Sequence, residues 1–100
     1  MKKQDSLNEE GLRELAAAAL TMKTEEEMRR FLIDLCSVRE LNSLSQRLRV
    51  AELLDEGKTY AEMVAATGAS TAIVSRMSRA LSMTENSGLE LAVRRLKQQE

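Results

Sequence analysis

The chain contains no histidine, no proline and no tryptophan, and it has a single cysteine among its 100 residues. Without histidine the usual catalytic base is missing, and no nucleophile has a base beside it. The four glycines form no phosphate-cradling loop, and one cysteine cannot make a metal-spaced cluster or an intrachain disulfide. An enzyme is therefore the weakest function class, and neither a metal nor a cofactor is expected. Cys36 lies in an apolar run and reads as a small core hydrophobe. No apolar run approaches the length of a membrane span and the first residues lack a signal-peptide pattern, so we expect a cytoplasmic protein without membrane partners. Charge of one sign is also missing: 15 basic against 16 acidic residues leave a net charge of −1. Any nucleic acid must then be held by a local basic patch, with weak long-range attraction.

Aromatics are limited to Phe31 and Tyr60 while 43% of the residues are apolar, so Leu, Ala and Met must fill the core, as in an all-α protein. One start signal recurs along the chain. Thr24 with Glu27, Ser37 with Glu40, Thr59 with Glu62 and Ser87 with Glu90 each fit the Ser/Thr-x-x-Glu capping box, and each precedes an apolar periodic run. Together they predict six helices, over residues 7 or 8–22, 25–36, 38–56, two short ones within 59–81, and 88–97. Met28, Phe31, Leu32 and Leu35 form an apolar stripe on the second, and Leu41, Leu44, Leu48, Ala51 and Leu54 one on the third. Residues 1–6 are polar and should fray. The length suits a single domain over residues 1–100. Helices 1, 2 and 6 carry more apolar surface than one small motif needs, which predicts a homodimer.

Residues 59–81 read as a helix-turn-helix. Thr59 caps a short helix, Gly68 can adopt the left-handed conformation that ends it, and Ser70 or Thr71 caps a second helix. That helix carries Ile73, Val74, Met77 and Leu81 on the side that packs back. Its outward face holds Ser70, Thr71, Ala72, Ser75, Arg76 and Arg79, small at the start and basic toward the end, as a helix entering a DNA major groove should be. With Thr59 and Tyr60 at the start of the first helix, these are the candidate DNA-binding residues. Lys58, Arg76 and Arg79 face only Glu62 within residues 58–81. The rival reading is a structural or protein–protein helix hairpin without specific DNA binding, since any such hairpin needs similar turn chemistry. The two differ in their behaviour with salt: a DNA reader gains affinity as salt falls and prefers one sequence.

Three segments, LCSVRE at 35–40, QRLRVAELLDEG at 46–57 and GASTAIVSR at 68–76, together resemble the tryptophan repressor family. The resemblance is close from Leu35 to Leu81, and the helix order extends it to nearly the whole chain. It implies a six-helix, intertwined all-α homodimer with two separate reading heads, binding a double-stranded DNA operator as a transcriptional repressor. It also implies a possible effector pocket: Arg47 and Arg76 match the two arginines that sandwich the tryptophan corepressor, and Ser37 stands where the family has threonine. Two positions depart from the pattern. Met77 follows Arg76 in place of glycine, and Ala80 replaces a serine. A methionine side chain should fill much of the space an indole ring needs, so tryptophan is not expected to act and any small-molecule effector is unidentified. Arg47 reads equally well as a salt-bridge residue, Arg76 as a phosphate contact, and Met77 as core.

Overall fold

The computed structural model describes residues 6–82 and 87–99, and among them the chain forms six helices and no strand. These are α1 (Glu9–Leu20), α2 (Glu25–Leu35), α3 (Val38–Asp55), α4 (Tyr60–Thr67), α5 (Thr71–Ser82) and α6 (Gly88–Gln98). They divide into two compact units, Met1–Val38 and Arg39–Glu100. Of the segment expected to fray, residues 1–5 lie outside the described residues.

In the first unit, Asn8 caps α1 by accepting from the Gly11 N–H at 2.9 Å, and Glu9 and Glu10 complement the helix dipole. Thr24 caps α2 by accepting from the Glu27 N–H at 3.0 Å. The Glu27 carboxylate accepts from the Lys23 N–H at 2.7 Å, one residue ahead of the partner that a capping box supplies. No residue of α1 or α2 is buried, and Leu20 keeps 85% of its surface exposed. Cys36 is half-buried with extended backbone at the end of α2, so it is not the core residue its apolar neighbours suggested.

The second unit has a core. Val50 and Leu53 of α3, Met63 of α4, Ala69 of the turn, and Val74 and Met77 of α5 form one buried cluster, with Leu54, Ile73 and Leu89 packed against it. Of the stripe expected on α3, Ala51 is buried and Leu54 packs against the core, but Leu44 is exposed, and Val50 and Leu53, outside that stripe, are buried. Periodicity alone leaves that choice open, because leucines occur on more than one side of α3. The end of α3 is a Schellman motif: Lys58 N–H donates to the Leu53 carbonyl and Gly57 N–H to the Leu54 carbonyl, each at 3.0 Å, with Gly57 at φ +81°. Ser87 caps α6 by accepting from the Glu90 N–H at 3.2 Å, while the Glu90 carboxylate lies 3.5 Å from Arg94. An ion pair between Lys97 and Asp55 joins the last turns of α6 and α3.

Candidate nucleic-acid interface

The sequence between Gly57 and Ser82 folds as two helices at a tight turn because each end has its own hydrogen-bonding solution. Thr59 and Glu62 make a complete capping box: the Glu62 N–H donates to Thr59 Oγ1 at 3.1 Å, and the Thr59 N–H donates to Glu62 Oε1 at 2.8 Å. Donation to the Glu62 carboxylate by the Thr59 backbone N–H, and secondarily by the Thr59 side chain, holds the Glu62 carboxyl below its ordinary value, with Lys58 adding a smaller push the same way. At the other end Gly68 takes φ +70° and its N–H donates to the Val64 carbonyl at 2.8 Å. Thr67 then bridges the turn, its hydroxyl donating to the Met63 carbonyl at 2.7 Å and accepting from the Ala69 N–H at 3.1 Å. Ser70, rather than Thr71, caps α5: its Oγ accepts from the Ile73 N–H at 3.2 Å.

This turn orients α5. Val74 and Met77 are buried, and Ile73, Ala80 and Leu81 are half-buried. Ser70, Thr71, Ala72, Ser75, Arg76 and Arg79 are all exposed, so the six candidate positions of the second helix share the solvent side. α5 has no acidic residue in its first turn and Arg79 in its last. Thr59 and Tyr60 are also exposed, and Tyr60 Oη lies 2.8 Å from Thr71 Oγ1, joining the first turns of the two helices.

Among the residues of the possible effector pocket, Arg76 is exposed, Ala80 half-buried and Met77 only 6% exposed, inside the apolar cluster. The Met77 side chain thus packs as core. Arg47 is half-buried, and its Nε is enclosed without a hydrogen-bond partner among the described residues. Ser37 is exposed and lies in the first unit.

Sequence reasoning missed Gln46. Its Nε2 donates to the Thr67 carbonyl at 3.0 Å, so α3 supplies the cap for the C-terminus of α4 and anchors the turn. The sequence signal is only a polar residue between leucines on a long helix, and the acceptor is a backbone carbonyl, which residue type does not reveal.

The family model of the Trp repressor protein matches residues 10–97. The uncharacterised protein YerC of Bacillus subtilis is 44% identical over 96 residues, covering 96% of this chain and 91% of that protein. A crystal structure of a candidate Trp repressor from Staphylococcus aureus superposes with a TM-score of 0.79 at 40% identity, covering 92% of this chain and 96% of the other. A TrpR-like protein from Eubacterium eligens gives a TM-score of 0.80 at 39% identity, covering 88% and 90%. The chain belongs to the Trp repressor family, whose members are regulatory DNA-binding proteins and not enzymes.

Proposed function

We propose that this member of the Trp repressor family is a sequence-specific transcriptional repressor that reads an operator as a homodimer, acting as a single domain in the cytoplasm without tryptophan. The observation that carries the DNA reading is the exposed face of α5. Small side chains lead, Arg76 and Arg79 follow, and the opposite side is fixed to α3 and α4 through Val74 and Met77. A groove-reading helix needs this combination of a slim leading end, phosphate-reaching cations and a rigid back. The homodimer is supported by the leucines that α1 and α2 leave exposed, surface that a second copy would cover.

Tryptophan independence rests on Met77. Its side chain is packed with Val50, Leu53, Met63, Ala69 and Val74, so the pose of α5 is held by the protein's own atoms. A ligand shifts a conformational equilibrium only by binding one state better, and a reading head already braced leaves tryptophan little to add. Isothermal calorimetry should detect no saturable tryptophan binding; tight binding would overturn this part. One observation favours a second reading, in which an anionic effector uses Arg47: its enclosed Nε has no partner among the described residues.

The DNA reading is tested by duplex selection followed by salt titration. Wild-type protein should enrich one sequence from a random duplex library. Arg76→Ala and Arg79→Ala should each lower the log–log salt slope by about 0.9. Absence of both enrichment and salt dependence would leave the protein–protein module as the correct description.

A further inference from the structure

The contact between Tyr60 and Thr71 has a consequence for how the reading head works. The two residues lie 11 positions apart, at the first turns of α4 and α5, with their oxygens at 2.8 Å. Tyr60 is 49% exposed and Thr71 is exposed, so the bond lies on the surface, at the end of α5 that would enter the groove first. We propose that Tyr60 is a positioning residue for sequence reading: its hydroxyl holds Thr71 in one rotamer, so that the pair offers the DNA a single oriented O–H donor. This inference rests on the DNA reading proposed above.

The chemistry is a count of protons. Two hydroxyls carry two protons, and the mutual bond uses one of them. A phenol is the stronger acid and the better donor, so Tyr60 donates and the Thr71 proton is left over. Thr71 alone, on a helix, would divide its time between two χ1 rotamers. Bound to Tyr60 Oη it has one, and its remaining proton has a preferred direction. Hydrogen-bond acceptors in the major groove differ in position from base pair to base pair, so a donor of fixed direction discriminates where a rotating one averages.

Exposure explains why this role would not register in the free protein. A surface hydroxyl pair competes with water and adds little to stability, whereas exclusion of water at a docked interface strengthens it. The pair should therefore matter for specific binding and hardly at all for folding, unlike a residue that merely supports the turn.

The test uses full-length protein, a duplex selected by wild type, and a scrambled duplex of the same composition. Tyr60→Phe should melt as wild type does, bind the selected duplex about five- to tenfold more weakly, and bind the scrambled duplex with unchanged affinity and salt slope. Introduced into Thr71→Val, the same change should cost less than about twofold, because the partner is already gone. Thr71→Ser, which keeps the hydroxyl, should retain most of the discrimination. Wild-type discrimination by Tyr60→Phe overturns the proposal, as does additivity of the two substitutions. Equal losses on both duplexes with a shallower salt slope also overturn it, by making Tyr60 a phosphate contact. If wild type selects no sequence at all, the DNA reading fails and this inference with it. Failure of the variants alone leaves that reading intact.

Discussion

The two compact units are built from similar material and end in different states. Both consist of amphipathic helices with well-formed caps, yet Arg39–Glu100 encloses a buried apolar cluster while α1 and α2, in Met1–Val38, bury no residue. The difference is one of connectivity. In the second unit, turns at Gly57 and Gly68 fold successive helices back so that α3, α4 and α5 converge on Val50 and Met77. Among its described residues the first unit has two helices and no third element of its own to close over them. Helix caps determine where a helix begins and ends, but only a partner for the apolar face supplies most of its stability. The helix-turn-helix thus carries its own scaffold, while leucines of the N-terminal unit stay exposed.

The sharpest way to break this contrast is at Met77. Met77→Gly removes a side chain that is 6% exposed and places glycine inside a helix, which together should cost about 4 kcal/mol. Chemical denaturation measures the loss directly, and the variant should also bind DNA less well because α5 is no longer braced. A change near zero would mean that the core of the second unit is not what holds the head.

A smaller effect is expected from the first unit, and its character should differ. Leu35 is 54% exposed, so within one chain Leu35→Ala should be close to neutral. If a second copy covers the apolar face, the substitution should cost about 1–2 kcal/mol and weaken self-association as seen by sedimentation. Wild-type melting temperature should then rise with protein concentration, because association adds to the stability of the folded state by mass action. Concentration-independent melting of a monomer would remove the homodimer from the proposal.

The smallest expected effect sharpens the contrast within the head itself. The folded-state pKa of Glu62 is depressed by its bonds to Thr59, so the stability it contributes is present above its ordinary value of 4.5 and is lost as pH falls through the lower folded value. Far-ultraviolet circular dichroism during acid titration should show helix loss below pH 4.5 that is reduced in Glu62→Gln. Because Glu62 is an exposed cap, the difference between the two proteins should be slight. Identical acid titrations would remove Glu62 as a source of pH dependence.

Helix boundaries were legible in the residues because caps are local. Thr24, Thr59, Ser70 and Ser87 each accept from a backbone N–H three residues ahead, a distance along the chain at which residue type and spacing carry nearly all the information; Asn8 does the same for α1, whose start the spacing puts at residue 7 or 8. The turn at Gly68 and the inward and outward sides of α5 were legible for the same reason, as alternation along one short helix. What the chain's order could not reveal depended on how helices cross. Gln46 meets the Thr67 carbonyl 21 positions away, Tyr60 meets Thr71 across the motif, and Val50 and Leu53 are core while Leu44 is exposed. Each of these is set by crossing angle and rotation about a helix axis, which periodicity leaves open to within a fraction of a turn. The sequence by itself therefore determined six helices, the caps at Thr24, Thr59, Ser70 and Ser87, and a helix-turn-helix. Only tertiary packing decided which residues of α3 join the core and which polar side chains brace the helix-turn-helix, because both depend on how helices cross.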